Sequence, residues 1–73
     1  MAIVKLTGKF ETTNPEDCFF AINTGNLTFV TPGQVEQSHG VPYTQLFFHF
    51  IGNIESIGFF VPDVDAAMEI LAG

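Results

Sequence analysis

The chain has 73 residues, is 47% hydrophobic with nine Phe and no Trp, is only 14% charged, and carries a net charge of −6. Lys5 and Lys9 are its only lysines and there is no arginine, so binding to the nucleic-acid backbone, which needs clustered cations, is excluded, and an anionic membrane surface is disfavoured. One cysteine, Cys18, rules out an intrachain disulfide, and with two separated histidines, His39 and His49, it makes a poor metal inventory.

A single domain of this length buries about 60% of its unfolded surface, so its own core is marginal. Typical soluble domains carry about 25% charged residues. The shortfall here points to a chain with more apolar surface than its own fold hides. The acidic residues, Glu11, Glu16, Asp17, Glu36, Glu55, Asp63, Asp65 and Glu69, are spread along the chain and form no acidic tail. The opening MAIVKLTGKF is not a signal peptide, because Lys5 breaks a short apolar run, and no stretch approaches the ~20 apolar residues of a membrane span. A cytosolic protein with a reduced Cys18 is expected.

Residues 2–12 alternate, with Val4, Leu6 and Phe10 on one side and Lys5, Thr7, Lys9 and Glu11 on the other, which predicts a half-buried strand. TTNPED follows as a loop, Asn14-Pro15 being a turn signal. CFFAINTGNLTFV predicts strands near 17–23 and 27–31 around a Gly25-Asn26 turn. That register sets Ile22 opposite Phe29 and Phe20 opposite Thr31 on one face, with Asn23 opposite Thr28 and Ala21 opposite Val30 on the other. TPGQVEQSHGVPY is the longest irregular segment, opened by Pro32-Gly33 and closed by Pro42. Such loops are often functional.

LFFHFIGNIESIGFFV predicts strands near 43–51 and 54–61 about Gly52-Asn53. The register pairs Thr44 with Val61, Leu46 with Phe59, Phe48 with Ile57 and Phe50 with Glu55. On the other face it pairs Gln45 with Phe60, Phe47 with Gly58, His49 with Ser56 and Ile51 with Ile54; Phe47 would shield the bare strand at Gly58. In VPDVDAAMEILAG, Pro62 stops the strand and Asp63 is a good N-cap. Asp65 lies in the first turn, and Val64, Ala67, Met68 and Leu71 follow helical spacing, so a helix is expected near 63–72. FFAINTGN…FVTPG faintly echoes FFHFIGN…FFVPD, which two hairpins solving the same turn problem explain better than duplication does.

The expected fold is therefore α+β: an antiparallel β-meander of about five strands with one C-terminal amphipathic helix on one face, in a single domain over 1–73. The helix should cover Val4, Leu6, Phe10, Phe20, Ile22, Phe29, Leu46, Phe48, Ile57 and Phe59. The other face then holds Phe19, Ala21, Val30, Phe47, Ile51, Ile54 and Phe60, an apolar patch larger than monomers usually expose. A second chain, curling of the sheet into a small barrel, or the 33–42 loop folding back could each cover it. Self-association is the leading expectation, with Phe19, Val30, Phe47, His49, Ile51 and Phe60 at the oligomer interface.

No catalytic signature is present. Cys18, beside Phe19 and Phe20, reads as a small buried hydrophobe. His49 reads as a satisfied polar group at an interface, bonded across the turn to Ser56. Asp63 and Asp65 read as helix-start residues, Glu16-Asp17 as a solvated turn, and TPGQVEQSHG lacks phosphate-loop spacing and its lysine. His39 is the better functional candidate, and Glu36, Gln37, Ser38, His39 and Tyr43 form the expected binding loop. No cofactor is called for. The leading expectation is a non-enzymatic, acidic inhibitor or adaptor, a homodimer or larger oligomer, that binds a protein with a basic surface. The alternative is an oligomeric binder of a small ligand, in a pocket between subunits or under the 33–43 loop.

Overall fold

The structure, a computed structural model, describes residues 2–73. It has the expected α+β class: strands β1 (Ile3–Gly8), β2 (Cys18–Asn23), β3 (Leu27–Ser38), β4 (Val41–Phe50) and β5 (Ile57–Val61), then one C-terminal helix, α1 (Val64–Ala72). All strand pairs are antiparallel. The strands form two sheets, β1-β2 and β3-β4-β5, rather than one continuous meander. No helix among the described residues is long and apolar enough to cross a membrane.

The expected β2–β3 hairpin does not form. Asn23 turns its side chain back to accept from the Gly25 amide at 3.0 Å, and the Thr24 amide donates to the Ala2 carbonyl at 2.9 Å. Gly25 and Asn26 are absent from the positive-φ positions, so the backbone that a tight hairpin turn requires is missing. Residues Thr24–Asn26 instead make a 3-10 turn that carries the chain from one sheet to the other. β2 pairs with β1, from Ile3–Asn23 through Leu6–Phe20 to Gly8–Cys18.

The expected 33–42 loop is also absent, because those residues extend β3 and begin β4. The reversal is made by His39 and Gly40, at φ 50° and 81°, with Ser38 opposite Val41. Two consecutive residues at positive φ give a hairpin turn of the primed type, whose twist matches the flanking strands. The β4–β5 register is the expected one, from Thr44–Val61 through Leu46–Phe59 and Phe47–Gly58 to Phe48–Ile57. Its turn is wider than expected: Asn53 donates to the Phe50 carbonyl at 3.2 Å with Gly52 at φ 83°, and 51–56 lie outside the strands, so the Phe50–Glu55, His49–Ser56 and Ile51–Ile54 pairs do not form. Asp63 caps α1, its carboxylate accepting from the Ala66 amide at 3.1 Å.

The two sheets enclose one core. Leu6 and Ile22 from the first meet Leu46, Phe48, Phe59 and Val61 from the second, with Ala67 of α1. Phe20 lies edge-on to Phe48 at 5.4 Å and packs against Phe59 at 5.2 Å, so β2 reaches across to β4 and β5. The sheets also join where β1 runs on into Lys9, whose amide and carbonyl bond Phe60 at 2.8 and 2.7 Å. This one bridge links the two sheets in the order β2-β1-β5-β4-β3, with β2 and β3 as the outermost strands. The inner face is covered by the other sheet as well as by the helix.

Candidate functional site

Polar chemistry converges where the segment between β1 and β2 folds over the β3–β4 hairpin. Beyond Gly8 the chain leaves the regular alternation, and Lys9, expected to face outward, is only 3% exposed. Its Nζ donates to Ser38 Oγ at 2.7 Å, lies 4.8 Å from the centre of the Tyr43 ring and stands 3.9 Å from an Asp17 carboxylate oxygen. Ser38, 2% exposed, donates in turn to the Thr12 carbonyl at 2.7 Å. Tyr43 donates its hydroxyl to Asp17 at 2.8 Å, and Thr12 donates to Glu36 at 3.0 Å. The hydrogen bond to Asp17, then burial, then the negative charge of the same carboxylate push the Tyr43 hydroxyl above its ordinary pKa of 10.0.

A serine beside a lysine has the outline of a nucleophile and its base. Here the ammonium is the donor to the hydroxyl, and the hydroxyl proton is committed to a backbone carbonyl. Two hollows, of about 370 and 230 Å³, are lined by Gly52–Ile57 and by β1, α1 and the β5–α1 turn, and neither includes Lys9, Ser38 or Tyr43. The arrangement acts as a clamp that holds the 9–17 segment onto the hairpin. Sequence reading missed it because strict alternation pointed Lys9 to solvent. The available signal was Gly8, since a glycine inside a strand pattern often marks a bend or close backbone approach.

The expected binding loop is split by this packing. Glu36, Gln37 and His39 are exposed on the hairpin, beside exposed Val35 and Val41, whereas Ser38 and Tyr43 are buried. Asp17 is not a free turn residue but the acceptor for Tyr43.

The expected interface residues do not share one surface. Phe60 is 6% exposed and Val30 packs against the core, so neither is an outer residue. The physical reason for Val30 is an irregularity between Leu27 and Phe29, which shifts the register by one residue and exchanges the faces. Phe29, expected inside, is consequently 56% exposed opposite His49, and their rings stack at 4.2 Å and 16°. The His49 ring nitrogen pairs with the Thr31 hydroxyl at 3.0 Å, not with Ser56. Phe47 lies against both Gly33 and Gly58, where a Cβ would come within 2.7 and 3.4 Å of its ring. Phe29, Thr31, Phe47 and His49 therefore form a band on the outside of β3-β4.

Phe19 is outside the other sheet, 68% exposed, with Lys5 Nζ 5.7 Å from its ring centre. Ile51 is exposed in the turn after β4, near exposed Ile54 in sequence. Phe10 and Ile57, expected in the core, are also exposed, although Phe10 still packs on Phe59 at 4.8 Å. Cys18 is exposed rather than buried. With Lys9 enclosed, Lys5 is the lysine left at the surface, against exposed Glu11, Glu16, Glu36, Glu55, Asp63, Asp65 and Glu69. No family model matches the chain, nor does any curated protein or solved structure.

Proposed function

We propose that this chain is a small, non-enzymatic protein-binding module of the cytosol, which self-associates through its apolar sheet surfaces and docks as an inhibitor or adaptor on a partner with a basic surface. One observation carries the reading. The outer band of Phe29, His49 and Phe47 leaves one large aromatic side chain, Phe29, in water against the half-buried His49 ring on a hydrogen-bonded sheet, and exposed apolar surface of this kind supports an interaction surface. The acidic surface, with one lysine enclosed, suits a basic partner and would speed encounter.

The test has two arms. Light scattering on wild type across a wide concentration range should give more than one chain per particle; one chain per particle throughout would refute self-association. A protein retained from lysate should elute as salt rises and should be lost with Phe29→Glu and weakened by Glu36→Lys. Retention indifferent to salt and to both substitutions would refute the docking surface.

A further inference from the structure

The two outermost strands, β2 and β3, differ in how their edges are guarded. β3 carries Pro32, which has no amide to donate, and irregularities between Leu27 and Phe29 and between Pro32 and Val35. Prolines and bulges of this kind keep an edge from pairing with another chain. β2 has none of these devices. Cys18-Phe-Phe-Ala-Ile-Asn23 holds no proline, no charge and no bulge, and its six pairs with β1 are consecutive. Among the described residues, 18–22 make no backbone hydrogen bond to any element other than β1.

We propose that the β2 edge pairs with the β2 edge of a second copy, antiparallel and across a two-fold axis, to make a continuous β1-β2-β2-β1 sheet. This rests on the self-association in the reading above and assigns it to one contact. The occupant follows from charge. A chain of net charge −6 repels its copy over most of its surface, but within β2 no like charges would meet. A basic partner gains nothing from a strand without acidic residues. An antiparallel strand pair is also self-complementary, as a two-fold interface requires. Pairing brings Phe19 and Ala21 of both copies onto one outer face, so Phe19, now exposed, gains apolar neighbours. Inside, Phe20 already rests on Phe48 and Phe59, so the edge is held rigid before it meets its copy.

The decisive variant is Ala21→Glu. Ala21 is exposed and lies opposite Lys5 on β1, so the new carboxylate has a partner within the monomer. Across the two-fold axis it meets its own copy. Light scattering in moderate salt should show wild type at two chains per particle and Ala21→Glu about twofold lighter, with unchanged circular dichroism. Phe29→Glu, on the other sheet, should keep the wild-type mass. On wild type alone, hydrogen exchange of the 18–22 amides should slow as concentration rises.

A dimer that survives Ala21→Glu, or whose 18–22 exchange ignores concentration, overturns the edge contact and leaves self-association standing. A dimer lost only with Phe29→Glu moves the contact to the outer band. A wild-type monomer at every concentration overturns the edge contact and the self-association together. Should Ala21→Glu not fold, the exchange result on wild type decides alone.

Discussion

Lys9 Nζ donates a 2.7 Å hydrogen bond to Ser38 Oγ, joining positions 29 residues apart, and both side chains are buried. The pair ties the end of β1 to the end of β3, and through Ser38 and Thr12 it ties down the segment between β1 and β2. A lysine is costly to bury, and every neighbour here offsets that cost: a hydroxyl acceptor, an aromatic face and a carboxylate.

Removing the acceptor should cost more than removing the charge. Lys9→Met keeps most of the apolar stem and leaves Ser38 bonded to Thr12, so we expect a loss of roughly 1–2 kcal/mol. Ser38→Ala removes the hydroxyl acceptor of the ammonium, leaving it the Asp17 carboxylate at 3.9 Å and the Tyr43 ring, and should cost about 2–3 kcal/mol. Urea unfolding should show both as midpoint shifts at constant slope. The reverse order would mean that the charge itself is a net stabiliser.

Tyr43 should make stability fall at alkaline pH. Its hydroxyl holds its proton more tightly in the folded chain, because Asp17 accepts it and burial disfavours the phenolate. A group with a raised folded-state pKa contributes fully below its unfolded value, here the ordinary 10.0, and that contribution is lost as pH rises towards the folded value. Tyr43→Phe should be less stable than wild type at neutral pH and should lose less on passing to higher pH. Equal slopes in the two proteins would show that the Asp17 contact does not govern this titration.

The β3–β4 turn should tolerate asparagine and resist alanine. Gly40 sits at φ 81° with no atom within 4 Å of a would-be Cβ, so Gly40→Ala meets only backbone strain, about 1–2 kcal/mol. His39, at φ 50°, occupies a position that asparagine fills well. His39→Asn should therefore melt at or above the wild-type temperature. If partner binding is lost in that variant, the imidazole and not the turn is responsible.

Gly8 should not accept a side chain. A Cβ there would collide with the Phe60 carbonyl and lie 2.8 Å from the Phe59 ring, where β1 meets β5. Overpacking of this kind costs about 1–3 kcal/mol, and more where backbone is the obstacle. Gly8→Ala should lower the urea midpoint and speed exchange of the Lys9 and Phe60 amides, which bond the two sheets together. Unchanged exchange would show that the bridge tolerates the shift.

Different parts of the fold were legible for different reasons. The β4–β5 register could be read because period-two alternation on both strands agreed about one pairing, and Phe47 over Gly58 fitted it. Helix α1 could be read from Asp63 and the spacing of Val64, Ala67 and Leu71. The β2–β3 pairing was misread because Gly25-Asn26 looks like a hairpin turn, while Asn23 and Ala2 hold that stretch in another conformation. The β3–β4 turn, His39-Gly40, was hidden because it does not carry the Asn-Gly or Asp-Gly pair that signals a two-residue hairpin turn. For the candidate site, Phe47 and His49 were placed on the outer face correctly, whereas Phe29 and Val30 exchanged places at a single irregularity.

The sequence by itself determined the α+β class, the β4–β5 pairing and the capped helix, because periodicity, turn residues and caps act within a few residues of one another. It also determined that charged groups are scarce, through a composition with 14% charged residues. Only the tertiary structure decided that β2 does not pair with β3, that Lys9 is enclosed by Asp17, Ser38 and Tyr43, and that β2 is left as an unguarded edge. Those outcomes depend on contacts between distant segments. There, one extra residue in a strand exchanges its faces, and one glycine decides how closely two backbones approach.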